Sequence, residues 1–361
     1  MVGGVHPLPD RLSLAMLPTP LQRLERLSAA WAGPTIWVKR DDLTGFGVSG
    51  NKIRKLEFHF AAARAAGADT VLTCGAIQSN HCRATALAAP RPGFNAVLVL
   101  RTADGGPPPT TTGNHLLQLL SGAELRYITP DDYERRDDML DEVADDLSRA
   151  GTIPWIIPEG ASDVLGMWGF AVAMRELADQ LQLACLSPAA IWHAASSGGT
   201  TAGLGWADDR LDLELPIVAC TIGESAAAAS ARVTHIWEAA AGAVGGDLPT
   251  PRLRYEDGYV GAGYGAVTDA ELADHRDYLL GLAQRMRGEF DAAEKLFSKL
   301  HQAEAVNVRY SNQLALVLIE SADEGKRARA LQIASTNLER ARNADTVSNA
   351  GWIRFRLGDP T

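Results

Sequence analysis

Short runs of β-branched and other apolar residues alternate along most of the chain with longer alanine-rich stretches of helical periodicity. The runs predict buried strands because they are short and carry few polar positions. The predicted strands are 36–39, 70–73, 96–100, 125–128, 154–157, 190–192 and 217–220, and the predicted helices are 52–66, 81–89, 114–120, 131–150, 166–180, 201–208 and 225–241. This alternation favours right-handed crossovers and an α/β fold with mostly parallel sheets covered on both faces.

The pattern changes near residue 286, where the alternation gives way to helix alone. Residues 286–361 contain 4 of the 34 glycines and 1 of the 18 prolines. Gly288 and Ala293 recur 37 residues later as Gly325 and Ala330, and Gly358 starts the pattern again. Helix-turn-helix units of about 34 residues repeat in this way. The tail therefore resembles a tetratricopeptide-type array, and a generic amphipathic helical bundle is the alternative.

The composition fits a folded protein of several domains. The 361 residues are 46% hydrophobic and 22% charged, and the net charge is −10. An acidic chain has no overall positive field to recruit nucleic acid or anionic lipid, so we expect neither partner. The four cysteines lack the spacing of a metal site, so we expect reduced thiols and no bound metal. With no stretch long and apolar enough to span a membrane, we expect a cytoplasmic location.

A glycine-rich loop runs directly into a helix in residues 39–57, and Lys52 lies in the first turn of that helix. A helix N-terminus and neighbouring cations lower the pKa of a lysine placed there. A lysine that forms a Schiff base needs this property. The alternative is an anion-binding loop without covalent chemistry.

Two further segments join a predicted strand to a predicted helix. In the first, Gly75 permits the turn, and Ser79, Asn80 and the free amides of the helix can hold a carboxylate. A simple helix N-cap would use the same residues. In the second, residues 196–200 bring small residues and hydroxyls to a helix start, which makes a phosphate cradle. Its spacing differs from that of dinucleotide and nucleoside-triphosphate loops, so one terminal phosphate fits better than a pyrophosphate.

In this order, the three segments resemble the D-cysteine desulfhydrase and 1-aminocyclopropane-1-carboxylate (ACC) deaminase family of fold-type II pyridoxal-phosphate (PLP) enzymes. The resemblance covers about residues 8–284 and rests on the runs 17–21, 39–45, 50–57, 77–81, 157–160, 197–200 and 261–265. It implies a tryptophan synthase β-like α/β fold with two parallel-sheet domains and an all-α tail. We expect a large domain of 1–52 and 164–285, an inserted small domain of 53–163 and a tail of 286–361.

The resemblance also implies a role for each matching residue. Lys52 would bind the cofactor, PLP, as a Schiff base, and Asn80 would hydrogen-bond its phenolic oxygen. Ser79 would meet the substrate carboxylate or act near the α-carbon, with Lys55 close to it, and Tyr264 would cover the opposite face of the cofactor. The residues that would wrap the phosphate are Ser196, Ser197, Gly198, Gly199 and Thr200.

The implied activity is carbon–sulfur lyase or deaminase chemistry on a small amino acid. D-cysteine desulfhydrase is favoured because His81 stands where the deaminases usually carry Gln, and ACC deaminase is the alternative. The family's later segments, which supply a second tyrosine and the partner of the pyridine nitrogen, do not follow Asp269. A further hypothesis is therefore a catalytically impaired fusion protein that acts as a binding scaffold through its repeats. We expect a homodimer, and a protein partner for the tail.

Overall fold

The structure, a computed structural model, describes residues 8–31, 34–45, 47, 50–257, 269–305, 307–340 and 344–358. The chain forms two compact units, of which the first comprises residues 1–22 and 38–265 and the second comprises residues 23–37 and 266–361. Along the chain to residue 256 the elements are β1 (Leu21–Arg23), α1 (Glu25–Trp31), β2 (Trp37–Lys39), α2 (Lys52–Ala65), β3 (Thr70–Ala76), α3 (Asn80–Ala88), β4 (Asn95–Arg101), α4 (Gly113–Leu120), β5 (Glu124–Ile128), α5 (Pro130–Glu134), α6 (Arg136–Arg149), β6 (Pro154–Ile156), α7 (Val164–Leu183), β7 (Ile191–Ala195), α8 (Gly199–Arg210), β8 (Ile217–Thr221), α9 (Ala226–Val244) and β9 (Leu253–Glu256).

Two parallel sheets organise the first unit. One has the strand order β5-β4-β3-β6 and the other has the order β7-β8-β9. All of their strand pairs are parallel, with Thr70 of β3 opposite Asn95 of β4 and Ile191 of β7 opposite Ile217 of β8. Because the carboxyl ends of parallel strands meet at one edge, the turns that leave β3, β6 and β7 are the places where such a sheet binds ligands. The predicted α/β class with two parallel sheets is confirmed.

Every strand and helix predicted from the pattern is present, but one predicted helix is divided in two, and β1, α1 and β9 were not predicted. The predicted helix 131–150 is divided into α5 and α6 at Arg135, whose backbone (φ −98°, ψ 28°) leaves the helical region. Strand β9 was not predicted, because its sequence Leu-Arg-Tyr-Glu carries charged residues at alternate positions and is short. Backbone pairing with β8 makes it a strand, since tertiary pairing overrides weak local preference.

Helix α2 lies in the core of the first unit, and three of its charged side chains, Arg54, Lys55 and Glu57, are buried. The guanidinium of Arg54 is 1% exposed and donates to both oxygens of Asp41 and of Glu176. Lys39 donates to Glu176 as well. Although burial raises it, these hydrogen bonds from Arg54 and Lys39 bring the pKa of Glu176 down to about 2. The ion network ties α2 to α7 and to the segment after β2.

Glycines let α7 approach both of its neighbours in the first unit. A Cβ at Gly169 would lie 2.4 Å from the carbonyl oxygen of Arg54 in α2. A Cβ at Gly203 of α8 would lie 2.2 Å from the carbonyl oxygen of Met167 in α7. Backbone atoms cannot move aside as a flexible side chain can, so the close packing of these helices requires glycine.

In the second unit, the described residues 269–305, 307–340 and 344–358 contain the helices α10 (Asp269–Met286), α11 (Phe290–Ala303), α12 (Val308–Leu318), α13 (Glu324–Arg340) and α14 (Ala344–Arg356). Its core includes Phe297, Ala293 and Ala330, which are fully buried. Gly281 of α10 lies against Phe297, because a Cβ there would be 2.8 Å from the ring. Helix α10 therefore packs within this unit, which begins before the predicted boundary at residue 286. The three-part domain division stays a prediction.

Among the residues that the structure describes, no helix has the length and hydropathy needed to cross a membrane. Within the same residues, no group of three or more His, Cys, Asp or Glu side chains could hold a metal ion.

We predict that Gly203→Ala lowers the free energy of unfolding by about 1–3 kcal/mol, because the added methyl group would overlap the carbonyl oxygen of Met167. The matched control is Gly242→Ala in α9, where nothing lies within 4 Å of the added Cβ. In that helix alanine should leave stability unchanged or raise it by up to about 1 kcal/mol. Denaturant unfolding of both variants measures the difference. Equal stability of the two variants would contradict the close packing of α7 and α8.

Candidate active site

Lys52 is the first residue of α2, directly after the glycine-rich loop. Thr44 stabilises this loop, because its hydroxyl accepts from the amide of Gly50 (2.8 Å) and donates to the carbonyl of the same residue (2.9 Å). Lys52 Nζ donates to Asn51 Oδ1 at 3.2 Å. Burial lowers the pKa of Lys52 to about 8. A substantial fraction of this amine is therefore uncharged, and hence nucleophilic, near neutral pH.

Lys55 lies one helical turn further along α2 and is 1% exposed. Its Nζ donates to the carbonyl of Gly160 (3.2 Å) and to the hydroxyl of Ser162 (2.9 Å). Both partners are neutral, and within the described residues no carboxylate forms an ion pair with it. Burial, together with the charge of Lys52, lowers the pKa of Lys55 well below its usual value. No hydrogen bond joins Lys55 to Ser79, which the sequence analysis expected nearby.

The segment between β7 and α8 lies against Lys55. Gly198 adopts a φ of +89°, and α8 begins at Gly199. A Cβ at Gly199 would lie 2.9 Å from both Lys55 Nζ and Ser162 Oγ. The hydroxyls of Ser162 and Ser197 hydrogen-bond each other at 2.6 Å. One ammonium, two hydroxyls and the amides of a 12-residue helix therefore converge at the start of α8.

This donor set fits a phosphate group. The amides of the first helical turn and the helix dipole attract an anion. If Ser162 donates to Ser197, the Ser197 hydroxyl keeps its hydrogen for an oxygen of the phosphate. Lys55 supplies a buried amine that makes no ion pair within the described residues, and the charge of Asp163 favours its protonated form. Glycine at position 199 keeps the approach to Lys55 and Ser162 open, because any Cβ would fill it. The phosphate group of PLP therefore fits this cradle.

The turn between β3 and α3 carries two of the predicted site residues. Ser79 is 6% exposed, and its hydroxyl accepts from the amide of Cys82 at 3.2 Å as the N-cap of α3. The hydroxyl keeps its own hydrogen for a ligand. Asn80 is the exposed first residue of α3, and its Oδ1 accepts from Asn114 Nδ2 at 2.9 Å. Both residues lie at the carboxyl end of β3.

The surroundings of His81 indicate that the start of α2 lies near the β3–α3 turn. Thr73 Oγ1 donates to the carbonyl of Ile157 (2.7 Å), so the same oxygen accepts from His81 Nε2 (2.8 Å). Burial, followed by the charges of Lys52 and Lys55, lowers the pKa of His81 well below its usual value. The start of α2 and the β3–α3 turn therefore face one region, in which His81 is a neutral core residue.

Contacts connect Lys55 with the segment of Ser197 and Gly199, and Ser79 and Asn80 share the β3–α3 turn. The roles of the predicted site residues stay predictions. Tyr264 lies outside the described residues. Ser162 and Asn114 were not predicted, although each follows a detectable signal. Ser162 comes just after β6 in a short turn of small residues, and Asn114 follows a glycine at the start of α4.

Residues 12–286 match the family described as pyridoxal-phosphate dependent enzyme. A Thermotoga maritima protein named as a putative ACC deaminase is 43% identical over 212 residues, which are 59% of this chain and 66% of that protein. The chain thus spans slightly under two thirds of that relative. A Salmonella choleraesuis D-cysteine desulfhydrase is 36% identical over 265 residues, 73% of this chain and 79% of that protein.

Among solved structures, an ACC deaminase homologue superimposes with a TM-score of 0.63 at 35% identity, covering 72% of this chain and 77% of that chain. These matches confirm the predicted fold type. They support PLP-dependent lyase or deaminase chemistry, and they do not favour a scaffold without catalysis. The family match covers well over half of the chain. The chain therefore belongs to the family of pyridoxal-phosphate-dependent enzymes.

Proposed function

We propose that this protein is a PLP-dependent lyase that converts D-cysteine and water into pyruvate, ammonia and sulfide. The alternative is an ACC deaminase, which would convert ACC and water into 2-oxobutanoate and ammonia. The observation that carries the proposal is the buried side chain of Lys55, whose hydrogen-bond partners are the neutral oxygens of Gly160 and Ser162. Burial lowers its pKa well below the usual value although the charge of Asp163 counteracts this, so an anion beside Gly199 would stabilise the protonated form.

We assign the phosphate of the cofactor as that anion. The predicted cradle, Ser196 to Thr200, lies at the start of α8, where Gly199 is adjacent to Lys55 Nζ. Ser197 contributes a hydroxyl that is already oriented by Ser162. Lys55 thus acts in cofactor binding rather than beside the substrate. The roles of the other residues in the cradle follow from their place in the first turn of the helix.

Lys52 is the residue that we propose to bind the cofactor covalently. Its lowered pKa of about 8 makes the amine a nucleophile at physiological pH. When bound, PLP withdraws electrons from the α-carbon of the amino acid. The Nζ of Lys52, once released, can accept the α-proton of D-cysteine, and its lowered pKa suits a general base near neutral pH. The serine hydroxyl at position 79 would donate to the substrate carboxylate at the start of α3.

The choice between D-cysteine and ACC rests on the relatives, whose names include both activities. His81, which suggested the desulfhydrase, is bonded to Thr73 within the core. A side chain with those contacts would influence a substrate only indirectly, by helping to position its chain neighbours Ser79 and Asn80. We therefore propose D-cysteine as the substrate, with ACC as the alternative.

For the second unit we propose tetratricopeptide-like repeats that present a docking surface to a protein partner. Ala293 and Ala330, the equivalent positions of the repeated pattern, are both fully buried. Gly288 and Gly358 both have a φ of +79°, as expected for glycines just after a helix. Gly325 departs from the pattern because it lies in the first turn of α13. We also propose that the protein is a homodimer.

The substrate is tested by supplying the PLP-loaded protein with D-cysteine, L-cysteine or ACC. We expect equal amounts of sulfide and pyruvate from D-cysteine and little from L-cysteine. Formation of 2-oxobutanoate from ACC without sulfide from D-cysteine would identify the alternative. The absence of products from all three, with the cofactor bound, would contradict the catalytic proposal.

Covalent attachment is tested by reduction with borohydride, which makes the bond between cofactor and lysine permanent. We predict that mass spectrometry finds the added mass on the peptide that contains Lys52, and that Lys52→Ala abolishes it. Lys326→Ala is the control and should retain the added mass, because Lys326 lies in α13, where it forms a partly exposed ion pair with Glu294 of α11. Fixation of the cofactor in Lys52→Ala at the level of the control would refute the assignment.

The pKa of Lys52 predicts how its reactivity varies with pH. Only the uncharged amine reacts with formaldehyde and cyanoborohydride, and burial lowers the pKa from 10.5 to about 8. In the cofactor-free protein, methylation of Lys52 should therefore reach half of its plateau near pH 8. Lys326 serves as the comparison, because the hydrogen bond to Glu294 raises its pKa above 10.5. Coincident pH profiles for the two lysines would contradict the proposed nucleophile.

A further inference from the structure

The start of α4 is hydrogen-bonded to the turn that carries Ser79 and Asn80. Gln78 Nε2 donates to the carbonyl of Thr112 (3.1 Å), and the amide of Asn114 donates to Gln78 Oε1 (2.8 Å). Gly113 between them has a φ of +58°, and a Cβ there would lie 2.6 Å from Gln78 Oε1. The positive φ favours glycine at this position, and the two hydrogen bonds with Gln78 place Asn114 directly beside the turn.

The chemistry of its neighbours determines which way the Asn114 side-chain amide faces. Its Oδ1 accepts from Arg83 Nη1 at 3.1 Å, and a guanidinium can only donate. Its Nδ2 donates to the carbonyl of Gln78 at 2.7 Å, and a carbonyl can only accept. The oxygen and the nitrogen of Asn114 therefore cannot be exchanged. The second hydrogen on Nδ2 is donated to Asn80 Oδ1 at 2.9 Å.

This bond in turn determines what Asn80 offers to a ligand. Its oxygen accepts from Asn114, so the group left for a ligand is its NH2, a donor. Within the part of the chain that the structure describes, Asn80 Nδ2 makes no hydrogen bond, and the residue is exposed at the start of α3. A free amide that is held in one orientation is prepared for an acceptor oxygen.

We propose that Asn114 is a positioning residue, which holds the Asn80 amide so that its NH2 faces the phenolic oxygen of bound PLP. The inference rests on the proposed function, because it requires PLP in the site. Arg83 completes the arrangement by orienting Asn114. The same arginine lies near the loop before Lys52, since its Nη2 is 3.7 Å from the Cβ position of Gly50.

The arrangement has a spectroscopic consequence. A hydrogen bond donated to the phenolic oxygen stabilises its negative charge and lowers its affinity for protons. If the donor is lost, the visible absorption band of the bound cofactor should change with pH at a higher midpoint. A donor to a charged oxygen corresponds to a shift of roughly one pH unit. This readout depends on the electronic state of the cofactor, and it can be observed without catalytic turnover.

The experiment is a pH titration of the visible spectrum of the PLP-loaded protein. The variants are Asn80→Ala, Asn114→Ala and Asn114→Asp, and thermal unfolding is recorded for each. We expect all three to raise the midpoint by roughly one unit. In Asn114→Asp the carboxylate keeps its contact with Arg83 and suits a helix N-terminus, which offsets the loss of the hydrogen bond to the carbonyl of Gln78. Thermal unfolding measures the net change in stability. This carboxylate cannot donate a hydrogen bond to Asn80 Oδ1, however. It would instead accept one from the NH2 of Asn80 and so turn that NH2 away from the cofactor.

Two comparisons separate positioning from general destabilisation. The exposed Leu116 lies in the same helix, and Leu116→Ala should leave the midpoint unchanged. In the double variant, Asn114→Ala should add nothing to the shift of Asn80→Ala, because Asn114 acts through Asn80.

The outcomes also distinguish this inference from the proposed function. If the wild-type protein binds no PLP and shows no visible band, the proposed function fails and the inference fails with it. If Asn80→Ala raises the midpoint and Asn114→Asp leaves it unchanged, the proposed function stands and the positioning role is refuted. Additive shifts in the double variant would refute it as well.

Discussion

The site depends on Lys55, a buried lysine that makes no ion pair within the described residues. Holding a charge inside a protein costs several kcal/mol even after relaxation. The hydrogen-bond partners of Lys55 are neutral oxygens, and the charge of Asp163 compensates only in part, since the pKa of Lys55 stays well below its usual value. The chain keeps that residue in place with a helix that is itself almost entirely buried. We propose that a phosphate at the start of α8 compensates this cost, with the helix amides and a serine hydroxyl as further donors.

Helix α2, which holds Lys55, also positions the proposed catalytic lysine. Lys52 and Lys55 lie one turn apart, so a helix that is fixed at Lys55 also fixes the amine that we propose as nucleophile and base. The Arg54 ion network and the close approach of Gly169 hold the same segment against α7. Between the two lysines and the β3–α3 turn, His81 stays neutral because it is buried near both positive charges. Packing of α2 therefore sets both the position and the pKa values of the site.

Local signals made most of the fold and much of the site predictable. Strand and helix periodicities predicted the two parallel sheets, and glycines at helix starts indicated the loop before Lys52 and the segment 196–200. The unpredicted contacts join residues far apart in sequence: Lys55 and Ser162 are 107 positions apart, and Asn80 and Asn114 are 34 apart. Such pairs are determined by tertiary packing, which no local pattern encodes. For the same reason the sequence indicated a lysine at position 55 without indicating its partners.

The most direct test compares the binding of PLP with that of pyridoxal, which lacks the phosphate. Calorimetric titration of the wild-type protein and of Lys55→Met gives the factor by which the phosphate improves affinity in each. Methionine preserves the volume and apolar stem of the side chain, so the fold should be retained. If Lys55 pairs with the phosphate, this factor should fall about tenfold or more in the variant. The same factor in both proteins would contradict the account.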